Sequence, residues 1–284
     1  KTSYSGWDGS GVGIAVLDSG VMTAHDAFLN ASGATRVKKN VTMLNTTAAN
    51  WTAGVDATSS LKPGTKDQNN YDKAIDAAAS LTQDPYGHGT HVASVAAGSA
   101  RYYVAGTPDT TGIAPGANLY DVRVLNQAGL GNTADVLEGI QWVIYNARAL
   151  NIRVLNISLA SASTESWQTD PLCVAARSAT AAGITVVVAA GNYGLTLTGQ
   201  EAFGTVGSPG NDPSVITVGA VNFKDTTARD DDTVTRFSSR GPTRGSLIDG
   251  VGQRVVDNLL KPDLVAPGNK IVAAAATQAS STLP

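Results

Sequence analysis

Cysteine is almost absent from the 284-residue sequence, and this scarcity excludes an internal disulfide. The one cysteine, Cys173, lies in the helical pattern PLCVAARSATAAG, so we expect a buried, unreactive thiol. Charge is also scarce, because charged residues make up 15% of the chain and the formal net charge is −3. These values offer no electrostatic attraction to nucleic acid or to an acidic membrane surface. No apolar run is long enough to span a bilayer.

Apolar residues and glycine are plentiful, at 42% of the chain and 30 residues respectively. This composition suits a compact, loop-rich α/β protein. Several short runs are apolar at nearly every position, which is typical of strands covered on both faces in a parallel sheet. These runs are residues 12–18, 118–125, 152–159, 184–190 and 214–221.

Helical patterns separate these runs, at residues 88–97, 133–149 and 171–182. In the second helix Val136, Ile140, Val143 and Ile144 form one apolar stripe. Alternation of strands and helices predicts a doubly wound α/β architecture with a mostly parallel sheet. We expect loops to be richest at 32–82 and 222–258, and we interpret residues 1–284 as a single domain.

Two of the three histidines, His88 and His91, occur in the segment GHGTHVASVAAG. A zinc helix of the His-Glu-x-x-His type needs spacing i, i+4 and a glutamate, and both are missing here. Packing against neighbours is the better interpretation of His91. His88 stands between two glycines at the mouth of a helix, where the helix dipole favours a neutral imidazole that can act as a general base.

A general base needs a group that orients it, and polar residues follow two of the predicted strands. Asp18 closes the first strand and is suited to hold the tautomer of a histidine, although a strand-end aspartate equally often braces a turn. Asn192 follows the strand VVVAAG and carries an N–H2 suited to a developing oxyanion. Left-handed turn chemistry in its Gly-Asn pair is the simpler alternative.

Taken together, these segments resemble the subtilisin family of serine endopeptidases. The resemblance covers nearly the whole chain, in the family's order, and includes the segments GVGIAVLDSGV, GHGTHVASVAAG, GIAPGANLYDVRVL, VVVAAGN, SPGNDPSVITVGAV, FSSRGP and KPDLVAPG. It implies a subtilisin-like three-layer α/β sandwich. It also implies a secreted endopeptidase in which Asp18 orients, His88 is the base and Asn192 donates to the oxyanion.

The resemblance implies that a peptide substrate pairs with two edge segments, Gly129-Leu130-Gly131 and Ser158-Leu159-Ala160. Ala190 and Gly191 then form part of the wall of the pocket for the substrate side chain. Ala160 occupies a place where the family usually has glycine, so its methyl group should narrow that wall. Ser94, also at a common glycine position, is a smaller departure.

The family's nucleophile lies in a Gly-Thr-Ser stretch, which does not occur in this sequence. Ser280 and Ser281 are the nearest serines after KPDLVAPG, but no apolar helix follows them. We therefore expect a second polypeptide, produced by cleavage near Pro284, that carries the serine and completes the domain. This chain alone would then be inactive.

Four further expectations complete the interpretation. The alternative function is a non-catalytic, peptide-binding relative, which predicts substitution at Asp18, His88 or Asn192. A nucleotide site at GSGVG is excluded, because these glycines precede a strand instead of following one. The chemistry requires no cofactor. Calcium often stabilises the family, but the acidic turn at 229–233 is better explained as solvated than as its site.

Overall fold

The computed structural model describes residues 6–44, 65–78, 83–100 and 105–276. The chain divides into two compact units, one comprising Lys1–Leu155 with Val272–Pro284 and the other Asn156–Ile271. The single-domain interpretation stays a prediction. Ser280 and Ser281 lie outside the described residues. Among the described helices, none combines the length and apolar character that crossing a membrane requires.

The first unit is built on a parallel sheet. Strand β1 pairs with β3 in register from Gly13 opposite Asn118 to Asp18 opposite Arg123, and β2 pairs with the other side of β3. All six residues of β1 are buried, as expected of a strand covered on both faces. The elements are β1 (Gly13–Asp18), β2 (Val37–Thr42), α1 (Lys66–Ala78), α2 (His88–Ala97), β3 (Asn118–Arg123) and α3 (Thr133–Leu150).

Small residues bring α2 close to this sheet. Ala93 and Ala97 are fully buried in a cluster with Val16 and Leu119 of the strands. The hydroxyl of Ser94, also fully buried, accepts a hydrogen bond from the backbone N–H of Ala274, 3.0 Å away. The helix therefore begins directly against the carboxyl end of β1.

The second unit also has a parallel core. Strand β4 (Ile152–Ile157) contains the boundary between the units and is followed by α4 (Pro171–Ala181), β5 (Thr185–Ala189), β6 (Ile216–Asn222), β7 (Thr233–Val234), β8 (Ser246–Ile248), β9 (Arg254–Val256) and β10 (Leu264–Pro267). Strand β6 pairs in parallel with β5 and β10, and β7 runs antiparallel to β6. Strands β8 and β9 form a separate antiparallel hairpin.

The predicted strands and helices are confirmed, with ends that differ by no more than two residues. The expectation of a loop-rich stretch at 32–82 is wrong in part, because β2 and α1 lie within it. Both elements are rich in charged and polar residues, since each has an exposed side. Residues 45–64 and 79–82 lie outside the described residues. The stretch 222–258 contains only strands of two or three residues and is otherwise irregular.

Candidate active site

The first unit joins Asp18, the last residue of β1, to His88, the first residue of α2. Nδ1 of His88 lies 2.8 Å from Oδ1 and 2.9 Å from Oδ2 of Asp18. The carboxylate side chain is 1% exposed, whereas the imidazole is 35% exposed. Within the described residues, Nε2 of His88 makes no hydrogen bond. The pair therefore has an oriented ring with one nitrogen free for chemistry.

Two glycines allow the first turn of α2, which carries His88, to approach the end of β1. Gly87, before His88, has a φ of 95°, a left-handed conformation that side chains other than glycine rarely adopt. A Cβ on Gly89 would clash with the carbonyl oxygen of Gly20. Glycine at these positions lets the first turn of α2 lie against the loop that follows β1.

A second buried carboxylate, Asp84, supports the pair and was not found by sequence reasoning. It accepts hydrogen bonds from the hydroxyl of Ser19 at 2.9 Å and from the backbone N–H groups of Gly87 and Thr90 at 2.8 Å. Ser19 in turn donates its backbone N–H to Asp18 at 2.7 Å. The N-cap residue of α2 is Gly87, three residues after Asp84, so the usual capping signal did not point to this carboxylate.

Charge around His88 decides the direction of its pKa. Burial disfavours the imidazolium, but the hydrogen bond that His88 donates to Asp18 and the negative charges of Asp18 and Asp84 outweigh it, so the pKa of His88 is raised above its ordinary value of 6.5. The helix dipole by itself favours the neutral ring, which is why the sequence predicts a neutral imidazole. The two carboxylates add the opposite effect, which the sequence analysis did not include, and the neutral state of the imidazole stays a prediction.

The predicted substrate segment Gly129-Leu130-Gly131 lies in the same unit. A Cβ on Gly129 would lie 2.6 Å from the ring of Tyr86, and that ring is 6.3 Å from the imidazole of His88. The backbone N–H and C=O of Leu130 are already bonded to Asn126. The N–H of Gly129 also donates to the carbonyl of Asn126, at 3.0 Å, so of the three backbone N–H groups only that of Gly131 makes no hydrogen bond within the described residues.

The second unit carries Asn192, in the loop after β5. Its neighbours are held by backbone contacts: Ser239 donates its N–H to the carbonyl of Gly191, and Tyr193 donates its N–H to the hydroxyl of Ser239. Gly191 has the left-handed φ, at 106°, so Asn192 itself does not supply the turn chemistry. Within the described residues the amide of Asn192 is exposed and makes no hydrogen bond.

The match to a family model identifies the chain. The model described as the subtilase family, peptidase S8, matches residues 9–284. This protein is a subtilase. The family resemblance inferred from the sequence motifs is thereby confirmed.

Curated relatives support the assignment. The chain is 40% identical to Serine protease AprX of Bacillus subtilis over 198 residues, covering 66% of this chain and 39% of the relative. It is 30% identical to Subtilisin E of the same species over 246 residues, covering 87% of this chain and 48% of the relative. The subtilase chain thus spans less than half the length of these relatives.

Solved structures confirm the subtilisin-like α/β fold. Sphericase matches with a TM-score of 0.65 and 26% identity, over 98% of this chain and 73% of that protein. The S41 psychrophilic protease matches with a TM-score of 0.60 and 29% identity, over 92% of this chain and 67% of that protein.

The remaining predicted residues of this subtilase, Ser158-Leu159-Ala160, follow β4 in the second unit and are partly buried. Ser161 continues the segment and pairs with Ser208 through two backbone hydrogen bonds of 2.8 and 2.9 Å. The Cβ of Ala160 lies 3.0 Å from the position that a Cβ on Gly207 would take. The extra methyl group of Ala160 therefore lies against a glycine. Ala190 is anchored to Val218 of β6 by a 2.9 Å backbone bond.

Two further side chains considered in the sequence are Cys173 and His91. Cys173 is fully buried, as predicted, and burial raises the pKa of its thiol to about 12, while its lack of reactivity stays a prediction. His91 lies one turn along α2 and is partly buried. Within the described part of the chain, no group of three or more histidine, cysteine or acidic side chains is arranged to hold a metal ion.

Proposed function

We propose that this subtilase is a serine endopeptidase whose base is His88, oriented by Asp18. One observation carries the proposal: Asp18 holds Nδ1 of His88 and leaves Nε2 without a partner among the described residues. A carboxylate that fixes the imidazole tautomer is the arrangement that proton transfer from a serine requires. The names of the relatives, which include several serine proteases, support this activity.

In the proposed reaction a serine from outside the described residues attacks the peptide carbonyl. Nε2 of His88 accepts the hydroxyl proton as the Ser Oγ–C bond forms, and Asp18 stabilises the resulting imidazolium. The amide of Asn192 donates a hydrogen bond to the oxyanion. When the C–N bond breaks, His88 returns the proton to the leaving amine. Water then hydrolyses the acyl-enzyme by the same proton transfers.

The substrate backbone is proposed to pair with Gly129-Leu130-Gly131 and Ser158-Leu159-Ala160. Pairing of an extended peptide with exposed backbone supplies affinity without regard to side chains. Ala190 and Gly191 would then line the adjoining side-chain pocket. The fixed backbone of Ala190 and of Ser161 supports this role, since a rigid edge loses little entropy on binding.

Labelling with a tagged fluorophosphonate tests the catalytic proposal. The reagent bonds to a serine Oγ that a histidine activates, with loss of fluoride. We expect labelling of the native protein and cleavage of a casein-derived peptide, both abolished by His88→Ala. Absence of both in a folded protein would overturn the proposal and favour the non-catalytic, peptide-binding alternative.

The same labelling experiment shows which polypeptide carries the serine. The sequence predicts a second polypeptide, and the comparisons do not support that prediction. Denaturing electrophoresis after labelling separates the two cases. Label on a separate band would bear out a second chain, and label on the band that contains Asp18 and His88 would exclude it.

We propose no cofactor for the chemistry, since every proposed proton and charge is handled by protein groups. A structural calcium ion and an extracellular location, both implied by the family, remain predictions. A rise in melting temperature with added CaCl2 that is reversed by a chelator tests the first. Detection of the protein in culture medium but not in washed cells tests the second.

A further inference from the structure

The second unit contains a cavity of about 390 Å³ that adjoins the proposed substrate-binding residues. Its wall includes Ala162, two residues after Ala160, and Tyr193, the residue after Asn192. Gly207, which faces Ala160, also lines it. A peptide residue whose carbonyl is attacked beside Asn192 would therefore direct its side chain into this cavity.

Two arginines, Arg244 and Arg254, are the only charged side chains among the described residues that line the cavity. Arg254 belongs to the β8–β9 hairpin, where it pairs across from Ile248, and Arg244 lies two residues before the hairpin begins. Within the described residues neither arginine forms an ion pair. The cavity thus carries two uncompensated positive charges.

Each guanidinium is anchored in the same way. Nε of Arg244 donates to the carbonyl of Gly204 at 2.7 Å, and Nε of Arg254 donates to the hydroxyl of Ser246 at 3.0 Å. The stem of Arg244 lies over Gly204, where a Cβ would come within 2.5 Å of it. A guanidinium has five N–H donors, so in both cases the terminal amino groups retain theirs. Such forks bind carboxylates in a bidentate manner.

An acidic side chain beside the cavity wall does not neutralise this pair. Asp257 faces Gly245 of the cavity wall, but its carboxylate accepts hydrogen bonds from the hydroxyl of Ser166 and the N–H of Trp167. It lies beyond ion-pair distance of either arginine. Each of its oxygens already accepts a hydrogen bond, and no carboxylate among the described residues lies within ion-pair distance of Arg244 or Arg254, so the arginine forks remain available to a ligand.

We propose that this cavity accepts the side chain of glutamate or aspartate in the peptide substrate, at the residue whose carbonyl is attacked. The inference rests on the proposed peptidase function for the position of the peptide. The competing explanation is that the arginine stems only cover apolar walls such as Val206. In that case a large uncharged side chain would be preferred.

Matched substrates separate these explanations. Acetyl-Ala-Ala-Ala-X coumarin amides, with X as Glu, Gln or Leu, are compared by kcat/KM at low salt. Glutamate and glutamine are nearly isosteric, so their ratio reports the charge alone. We expect a preference of about two- to fivefold for Glu over Gln, the range for an ion pair at an exposed site. Salt should reduce this ratio through screening.

Variants test the two arginines. Arg244→Gln and Arg254→Gln should each reduce the Glu/Gln ratio, and the double variant should bring it close to one. Arg153→Gln, at an exposed arginine that does not line the cavity, is the matched control and should keep the ratio. Circular dichroism melting curves confirm that each variant is folded.

Binding of acetyl-Ala-Ala-Ala-X amides to the His88→Ala variant, which lacks the proposed base and should not cleave them, is measured by calorimetry and separates this inference from the peptidase proposal. Hydrolysis without preference for Glu overturns the acidic cavity and leaves the peptidase standing. Selective binding of the Glu peptide without hydrolysis supports the cavity and counts against the peptidase. Absence of both hydrolysis and binding overturns both proposals.

Discussion

The loop that enters α2 and the loop that follows β5 each carry a proposed catalytic side chain, but they hold it differently. His88 is supported from beneath by two buried carboxylates, Asp18 and Asp84, joined through Ser19. Asn192 has no such support within the described residues, and only the backbone of its neighbours is fixed. The loop that enters α2 therefore stabilises the charge on His88, whereas the loop that follows β5 only positions the neutral amide of Asn192.

This difference follows from what each group does in the proposed reaction. An imidazole that becomes charged needs a permanent counter-charge, and a buried carboxylate is tolerated only when its oxygens are hydrogen-bonded. Asp84 meets that condition with three donors. An amide stays neutral throughout, so a rigid backbone and an open side are sufficient. Substitutions in the two loops should therefore differ in their effects on activity, pH dependence and stability.

Replacement of His88 should have the largest effect. His88→Ala removes the proposed base, and the expected loss in kcat/KM is on the order of 10²–10⁴-fold, the usual range for general acid–base catalysis. Peptide hydrolysis at fixed pH measures it. His91→Gln, on the same helix, is the control and should retain activity within about threefold if His91 only packs. Equal losses in both variants would contradict the assignment.

Replacement of Asn192 should rank second. Asn192→Ala is expected to lower kcat by roughly 10²–10³-fold with little change in KM, which is the magnitude known for the oxyanion amide of subtilisin, a member of the same family. Because the amide makes no hydrogen bond within the described residues, the free energy of unfolding should change by less than about 0.5 kcal/mol. Steady-state kinetics and urea denaturation measure the two quantities. A large loss of stability would show that Asn192 is structural.

Replacement of Asp84 should mainly change the pH dependence of peptide hydrolysis. The negative charge of Asp84 helps to raise the pKa of His88, so wild-type activity should fall with acidification at a pH above 6.5, as His88 becomes protonated. Asp84→Asn should move this acidic limb to lower pH. Asp76→Asn, an exposed carboxylate paired with Lys39, should leave the limb in place. An unmoved limb in Asp84→Asn would remove Asp84 from the account of His88.

The raised pKa of His88 also predicts how the free energy of unfolding changes with pH. Because the folded pKa of His88 is raised, its contribution to stability is complete below about pH 6.5 and is lost as the pH rises through the folded pKa. In addition, Asp84→Asn keeps one acceptor oxygen but places an N–H2 where the other oxygen accepts a buried hydrogen bond, which should cost about 1–3 kcal/mol. Urea denaturation of both proteins at several pH values measures these effects.

The smallest effect should be at Cys173. Its thiol is fully buried, lies 3.1 Å from Oδ1 of Asn211, and has a pKa raised by burial to about 12. We expect no reaction with a thiol reagent in the native protein and full reaction in denaturant. Rapid labelling of the native protein would show that α4 opens readily from its surroundings.

Prediction from sequence succeeded where one local pattern controls the outcome. Strands apolar on both faces, such as β1, and helices with an apolar stripe, such as α3, were located to within one or two residues. Of the described side chains of α1, only Tyr71, Asp72 and Ile75 are buried, so its apolar pattern was too weak to detect. Strand β2 was missed for the same reason, since charged residues occupy its partly exposed positions.

The sequence by itself determined the family, the main strands and helices, and the candidate roles of Asp18, His88 and Asn192. All of these depend on residue type and order along the chain. Only the tertiary structure decided that Asp84 lies beneath α2, that the pKa of His88 is raised, and that Arg244 and Arg254 line one cavity without carboxylate partners among the described residues. Such properties depend on the distances between charges and on their burial, and folding sets both by bringing together residues that are far apart in sequence.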